Sequence, residues 1–299
     1  MRRVLTVAAT VAGLVLGSGS AAVANNGHGV PAPVPVLAFD VTTEGGFTLP
    51  ASRLHAGYIT FTVSTAETGY HGIQGFRVNP GHTPEEVVND LRLGVQSADP
   101  ADNAAGALAL QTDAVLIGGV VTSAYAPISV TVQLCAGTYY FFDLNDFFTD
   151  GISTPRMHTL EVWGGTRQAG RPDYDAEIVT NEMNDMFGFD APTAQSATGT
   201  YKVTNITDEV HEVVWRAVAP GTTDAYIQTY YDAVVAGTPR PPRPWLDRQH
   251  GLQAMSPGQT AYIHINLPVG AYALLCLVPD DKDGMPHAYM GMHKVVDLS

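Results

Sequence analysis

Apolar stretches rich in Val, Thr, Tyr and Phe alternate along the chain with short polar segments that contain Gly, Pro and Asn. This pattern is typical of strands in an antiparallel sandwich and differs from the pattern of a helical or βαβ protein. We therefore predict an all-β fold, with strands at Gly57–Ser64, Ile128–Leu134, Thr138–Leu144, Gly199–Asn205, His211–Val218, Thr260–Leu267 and Ala271–Val278.

Two segments carry helical signals. Thr83 can cap a helix, Pro84 suits the first helical position, and Glu86 can reach back to the cap. This predicts a short helix that ends near Leu93. A second helix is predicted over residues 224–235, where apolar and aromatic residues are spaced to bury one face.

The two halves of the chain repeat each other. A strand, a turn and a histidine that opens the next strand occur in both halves, and each copy is followed by a Pro/Gly turn and a short helix. Later in each half, a strand that begins with Gly recurs. The matching segments are 57–78 with 199–218, and 137–144 with 270–277. We place the boundary near residue 168, which predicts domains over 34–167 and 168–299.

The first 24 residues have the pattern of an export signal. Arg2 and Arg3 precede the apolar run 4–16, and small residues lead to an expected cleavage site near Ala24. We therefore expect a secreted, extracellular protein. No later stretch approaches the length needed to cross a bilayer, so no transmembrane span is expected. The remaining length, about 275 residues, suits two domains.

The chain is acidic, with a formal net charge of −14. Removal of Arg2 and Arg3 with the signal takes away two positive charges and leaves −16. Such a charge argues against nucleic acid as a partner. It favours solubility outside the cell, and it could also steer a basic partner protein towards the surface.

The second half contains the donor types of a blue-copper site. Such a site needs two imidazoles and one thiolate near one plane, with a weak axial ligand that is usually a thioether. His211 opens a strand after a polar turn, and Cys276, His287 and Met292 follow far downstream in one closing segment. The soft thiolate suits copper in both of its redox states.

This order resembles the cupredoxin superfamily, in particular exported plastocyanin- or halocyanin-like domains. The resemblance implies two tandem cupredoxin-like Greek-key β-sandwiches with short helices in the connections. It further implies that His211, Cys276, His287 and Met292 hold one copper ion, while Asn205 braces the loop behind His211. The implied function is one-electron transfer with a redox partner protein, or copper carriage, and not catalysis.

Ten residues separate Cys276 from His287, more than in small blue-copper proteins, although copper nitrite reductases also lengthen this loop. Met290 competes with Met292 as the axial ligand. Electron transfer predicts that His287 faces outward within an apolar patch that includes Pro286.

The first copy lacks the thiolate. Asp143 stands where Cys276 would be expected, and Arg156 aligns with His287. Cys135 falls eight residues before Asp143 and does not replace it. A type 1 site is therefore not expected in this copy, which we interpret as a structural or partner-binding domain. His71, Asp143 and His158 could instead form a site for a harder metal.

Several alternatives stay open at this point. Cys276 could be an inert thiol, or it could form a disulfide with Cys135, which an oxidising compartment allows. The remaining histidines show no spacing that assembles a site, and we expect them to be solvated; they are His28, His55, His82, His250, His264 and His293. An aromatic cluster is expected to pack the second helix, namely Tyr226, Tyr230, Tyr231 and Trp245.

Two other functions compete with copper-based electron transfer. One is a metal-free pair of sandwiches that acts as an extracellular binding or structural module. The other is a fragment of a copper oxidoreductase that works in an oligomer or with another domain. The latter needs a second, histidine-rich copper cluster, yet His264 is alone on its strand. The oligomeric state does not follow from the sequence.

Overall fold

A computed structural model describes residues 33–149, 154–166, 170–183 and 186–299. The predicted signal peptide, residues 1–24, lies outside the described residues, and so does the segment 167–169 at the predicted domain boundary. Within the described part of the chain, none of the helices is long and apolar enough to cross a membrane.

Strands dominate the described residues, and the predicted all-β sandwich with short helices is confirmed. Three predicted strands and the helix over 224–235 have the predicted bounds. The strands are β1 Val36–Asp40, β2 Arg53–His55, β3 Gly57–Ser64, β4 His71–Val78, β5 Ala114–Thr122, β6 Ile128–Leu134, β7 Gly137–Asp143, β8 His158–Trp163, β9 Ala176–Met183, β10 Met186–Asp190, β11 Ala194–Gln195, β12 Thr198–Asn205, β13 His211–Val218, β14 Trp245–Met255, β15 Thr260–Asn266, β16 Gly270–Leu275 and β17 His293–Leu298.

The helices are α1 Pro84–Gln96, α2 Pro100–Asp113 and α3 Asp224–Val235, with short 3-10 helices at Leu144–Phe148 and His287–Met290. The predicted capping box is present, because Thr83 accepts from the Glu86 N–H and the Glu86 carboxylate accepts from the Thr83 N–H. Helix α2 was not predicted. It begins with an Asp99 cap followed by Pro100, which is a start signal that the sequence does contain.

The strands form two sheets. In each sheet, the described strands of the first half and those of the second half follow an equivalent order outward from the middle, except that β10 has no counterpart among them. One sheet reads β1-β3-β6-β15-β12-β9-β10, and the other reads β11-β17-β16-β13-β14-β5-β4-β7-β8-β2. The halves meet where β6 pairs with β15 and β5 pairs with β14, both antiparallel. Main-chain hydrogen bonds therefore join the two halves through both sheets.

The main core lies between the two sheets and includes the fully buried side chains of Ile59, Val130, Trp215 and Ile263. Smaller clusters lie under the helices. Under α3, the predicted aromatic packing is confirmed: the rings of Tyr231 and Trp245 are 5.7 Å apart. The close packing of these buried side chains holds the strands that carry the candidate ligands in fixed positions.

Helices α1 and α2 form a hairpin whose close crossing needs a glycine at residue 106. A Cβ at Gly106 would lie 2.5 Å from the backbone nitrogen of Gly94, so no larger residue fits at this crossing. The hairpin belongs to the first half of the chain, and the second half has α3 at the corresponding place in the order of elements.

Candidate metal centre

Three of the four predicted ligands meet in the interior of the second half. His211 is the first residue of β13, Cys276 directly follows β16, and His287 begins a 3-10 helix. Strands β13 and β16 are neighbours, with Val214 opposite Leu275. This register brings the start of β13 next to the end of β16, and thus the imidazole of His211 next to the thiol of Cys276.

The three donor atoms converge. The Cys276 Sγ lies 3.6 Å from the His211 Nδ1 and 3.5 Å from the His287 Nδ1. The two imidazole rings are 4.6 Å apart, and all three side chains are fully buried or nearly so. The three ligand atoms lie within 4.8 Å of one another, so one metal ion can contact all of them.

These distances fit a metal ion placed between the donors. Bonds of about 2.0 Å to nitrogen and about 2.3 Å to sulfur, at angles between tetrahedral and trigonal, separate the two atoms by about 3.5 to 3.8 Å. Two imidazoles and one thiolate are the equatorial donors of a type 1 copper site. The donor set of His211, Cys276 and His287 is therefore that of a single type 1 copper ion in the C-terminal half.

The surroundings favour a cation at this point. Burial, together with the negative charge of Glu212, raises the pKa of the Cys276 thiol well above its ordinary value. Burial and the neighbouring His287 lower the pKa of His211 to about 3. Because the imidazole of His211 is neutral and a thiolate is costly without a counterion, a metal cation can take the place of the thiol proton.

Met292 is fully buried, whereas Met290 is partly exposed. The Met292 N–H donates to the His287 carbonyl at 2.9 Å, and the Cys276 N–H donates to the Met292 carbonyl at 3.4 Å. The chain after His287 therefore folds back onto the segment of Cys276. This places the backbone of Met292, rather than that of Met290, against both ligand-bearing segments.

The long loop over 277–286 closes on itself, which explains how it keeps His287 beside Cys276. Pro279 and Pro286 form an antiparallel bridge. The N–H of His287 donates to the Val278 carbonyl at 3.0 Å, and the N–H of Ala288 donates to the Cys276 carbonyl at 2.7 Å. The extra residues thus extend as a hairpin and do not move the two ligands apart.

Helix α2 of the first half contacts this loop. The Gln111 Nε2 donates to the Asp281 carboxylate at 2.9 Å. Gly284 has a φ of 72°, and a Cβ at this residue would lie 1.9 Å from the Pro100 carbonyl oxygen. The tip of the loop therefore packs directly against the first turn of α2.

His287 does not face outward, and the expected apolar patch around an exposed His287 is wrong. Its side chain is fully buried, and its Nε2 lies 3.2 Å from the Glu209 carboxylate. Phe187 of β10 lies edge-on to both imidazoles, at 4.7 Å from His211 and 4.8 Å from His287. A carboxylate and an aromatic ring therefore cover the site on the side of the second histidine.

Glu209 and Phe187 were not singled out from the sequence. Glu209 also accepts the N–H of Asp281 at 3.1 Å and the Lys282 Nζ at 3.2 Å. Burial opposes its ionisation, but these hydrogen bonds and the one with His287 outweigh burial and lower the pKa of Glu209 to about 2. The available signal was an acidic residue two positions before the candidate ligand His211.

Asn205 braces the loop before His211, as the resemblance implied. Its Nδ2 donates to the carbonyls of Glu209 at 2.8 Å and Met255 at 3.0 Å. Its Oδ1 accepts from the side chain of Thr207 at 2.8 Å. Asn205 thereby ties β12 to the segment that carries Glu209.

In the first half, Asp143, which the sequence aligns with Cys276, is hydrogen-bonded to the imidazole of His71. Asp143 lies opposite Ile73 in the β4–β7 pair, and its Oδ2 is 2.5 Å from the His71 Nδ1. Burial opposes protonation of His71, but Asp143 and Glu67 outweigh it and raise the pKa of His71. Among the described residues, His158 does not join His71 and Asp143 in a converging group.

The disulfide and two of the histidine expectations are also decided, whereas His28 lies outside the described residues. The expectation that His293 is solvated is wrong, because its side chain is 5% exposed and its Nε2 lies 3.0 Å from the Gln228 Oε1. Cys135 is exposed, Cys276 is buried and both are free, so the disulfide is not formed. The expectation that His250 is solvated is wrong, because its side chain is fully buried and its Nε2 is 3.2 Å from the Ser123 Oγ across the junction of the two halves.

No protein-family model matches the chain, and no curated protein matches its sequence. Three solved copper proteins are distantly similar. Auracyanin of the photosynthetic bacterium Roseiflexus castenholzii is 21% identical over 42% of this chain and 95% of its own, with a TM-score of 0.25. Auracyanin A of Chloroflexus aurantiacus, a "blue" copper protein, is 18% identical over 44% of this chain and 100% of its own, with a TM-score of 0.29. The copper nitrite reductase of Nitrosomonas europaea is 9% identical over 89% of this chain and 94% of its own, with a TM-score of 0.24.

Proposed function

We propose that this chain is a secreted cupredoxin-like protein that binds one copper ion through His211, Cys276, His287 and Met292. Its function is one-electron transfer or copper carriage. The observation that supports this proposal is the convergence of two Nδ1 atoms on the Cys276 Sγ at 3.5 and 3.6 Å in a buried pocket.

The chain's own residues suit electron transfer. Copper in such a site accepts and donates one electron, and the soft thiolate and thioether donors are suited to Cu(I). The sheet holds His211 and Cys276 in place, and the hydrogen bonds of the closed loop hold His287. Rigid ligands keep the reorganisation between redox states small. A hydrogen-bonded path runs from the surface at Lys282 through Glu209 to His287.

We further propose that the chain is a tandem repeat with domains over 34–167 and 168–299, the first copy having lost its metal site. The equivalent order of strands on the two sides of the junction supports this. The hydrogen bond between His71 and Asp143 takes the place of the contacts to the Cys276 sulfur in the second copy. The role of the first copy is to hold the copper loop through α2.

The protein acts outside the cell after cleavage near Ala24, and its partner is a soluble or surface-bound redox protein. We favour a carrier over an oxidoreductase because the other converging group away from the centre, within the described residues, is His82, Glu86 and Asp113. Two carboxylates and one imidazole do not make the histidine-rich second copper cluster that such an enzyme needs.

Copper titration of the secreted chain tests the proposal. We expect saturation at one ion per chain, with an intense visible band from thiolate-to-copper charge transfer. One electron per copper from a chemical reductant should bleach this band, and air or ferricyanide should restore it. Titration without a visible band, or no binding at all, would contradict the proposal and leave the metal-free extracellular module as the better interpretation.

Replacement of Glu209 by glutamine tests the carboxylate behind His287. It keeps the shape of the side chain but removes the charge that holds the His287 Nε2–H. We expect copper affinity to fall about 10- to 100-fold, as for other hydrogen-bond partners of ligating histidines. The reduction potential should rise, because a negative charge near the ion stabilises Cu(II). Competition with a chelator and a redox titration measure the two effects.

Asp208→Asn is the matched control. Asp208 is the neighbour of Glu209 in the chain, its side chain is exposed, and the substitution removes one negative charge as Glu209→Gln does. It should leave both quantities nearly unchanged. Equal effects of the two substitutions would mean that Glu209 acts only through general surface charge.

A further inference from the structure

A cavity of about 310 Å³ lies beside the metal centre, between the α1–α2 hairpin and the loop over 277–286. Val210 and Leu277 line it, and they directly adjoin the candidate ligands His211 and Cys276. Folded proteins contain few voids larger than a water molecule. A volume of this size falls in the range of ligand sites, about 300 to 1,000 Å³.

The walls of the cavity are mostly apolar. They include Leu91, Ala107, Leu116 and Val278. At the rim, the aromatic side chains of Tyr70 and Phe148 also line the cavity, and they are 40% and 54% exposed. Exposed aromatic groups next to an apolar interior favour an aromatic ligand that can enter from solvent.

Two buried polar side chains of the cavity, Gln74 and Glu212, have acceptor oxygens. The described hydrogen bonds of the Gln74 side chain all use its amide nitrogen, which donates to the carbonyls of Gly75 at 2.8 Å and Ala254 at 3.1 Å, among others. The buried Glu212 carboxyl accepts the N–H of Leu277 at 2.9 Å through one oxygen. A ligand that donates a hydrogen bond can therefore be recognised.

The charge of the lining excludes anions. It contains the acidic residues Asp90 and Glu212, and none of the described residues that line it is a lysine or an arginine. A buried carboxylate ligand would lack a cationic partner among these residues, at a high desolvation cost. The formal net charge of −14 adds to this repulsion.

From this lining we propose that the cavity binds a small neutral or cationic aromatic molecule with a hydroxyl or amino donor. This site is separate from the proposed copper ligands and does not require copper. Its wall at Leu277 and Glu212 adjoins Cys276 and His211 along the chain, so an occupant changes the surroundings of the metal centre.

The test uses 4-ethylphenol as the probe, with isothermal titration calorimetry of the secreted chain. Ethylbenzene, which lacks the donor, and 4-ethylbenzoate, which is an anion, are the comparison compounds. We expect saturable binding of one 4-ethylphenol per chain, at least tenfold tighter than either comparison compound. Equal binding of ethylbenzene would overturn the role of the donor, and equal binding of 4-ethylbenzoate would overturn the exclusion of anions.

Substitutions in α2 test whether 4-ethylphenol binds in the cavity. Ala107→Phe fills the space from a buried position, whereas Leu108→Phe enlarges a neighbouring side chain that is 54% exposed. Ala107→Phe should weaken binding at least tenfold and Leu108→Phe should not. Ala107→Leu is a smaller filling change for use if the first variant does not fold. Equal binding by the filled and control variants would overturn the proposal.

The outcome is independent of the copper proposal. Copper-free Cys276→Ser protein should bind 4-ethylphenol as the wild type does, because Cys276 does not line the cavity. In copper-loaded protein, saturation with 4-ethylphenol should shift the visible band. Loss of phenol binding in the Cys276→Ser protein would overturn the assignment of the ligand to this cavity and place it at the metal centre.

Discussion

We expect Cys276→Ser to abolish the visible charge-transfer band of the copper-loaded protein and to lower copper affinity by more than about 100-fold, which exceeds the loss typical for a hydrogen-bond partner of a ligand. Among the three converging side chains, His211, Cys276 and His287, the Cys276 thiolate is the single soft anionic donor. A serine hydroxyl has a similar shape, but it stays protonated at neutral pH and is a hard donor. Visible spectroscopy and chelator competition measure the two losses.

Cys135→Ser is the matched control, because Cys135 is the chain's other cysteine and is exposed. It should keep the band, the stoichiometry and the affinity of the wild type. Thermal unfolding of both copper-free variants shows whether Cys276→Ser acts on the site or on folding. A folded Cys276→Ser protein that still forms the band with copper would contradict the assignment of this thiolate as a ligand.

Gly284→Ala has the second-largest expected effect. The left-handed backbone costs an alanine roughly 1 to 2 kcal/mol, and the contact of its Cβ with the Pro100 carbonyl adds roughly 1 to 3 kcal/mol of overpacking. The loop must move away from α2 to relieve this contact. We expect unfolding at lower denaturant concentration and copper affinity at least tenfold weaker, because the loop carries His287 at its end.

Gly258→Ala is the control that distinguishes the effect of the Gly284 contact with Pro100 from the effect of backbone strain. Gly258 has a similar φ of 75°, and a Cβ there would meet nothing within 4 Å. This control should show the strain alone and leave copper affinity unchanged. If Gly284→Ala and Gly258→Ala behave alike in denaturation and in chelator competition, the contact with α2 does not support the metal centre.

The contact between α2 and the loop gives the first half a physical role. In that half, His71 and Asp143 are hydrogen-bonded to each other, while helix α2 touches the loop between Cys276 and His287 at Asp281 and Gly284. A loop of ten residues has considerable freedom when unsupported. Packing against a helix reduces that freedom before a metal binds.

Much of the architecture and the chemistry at the centre could be predicted from local patterns in the sequence. The strands β3, β6 and β13 follow from short apolar segments between turn residues, and the start of α1 follows from Thr83 and Glu86. The formation of these strands and of this helix start depends on residues that are close together in the sequence, so their positions can be predicted from the sequence alone. The identity of the three converging donors was predictable because soft-metal chemistry needs those residue types.

The tertiary structure alone decided how the site is enclosed and supported. Glu209 behind His287, Phe187 over both imidazoles and the contact of Gly284 with Pro100 join residues far apart in the sequence. The expected outward face of His287 was wrong for the same reason, since its burial depends on β10 and on the segment of Glu209. Such contacts arise from the pairing of strands and the packing of helices across the chain, and no local pattern of residue types specifies which distant segments meet.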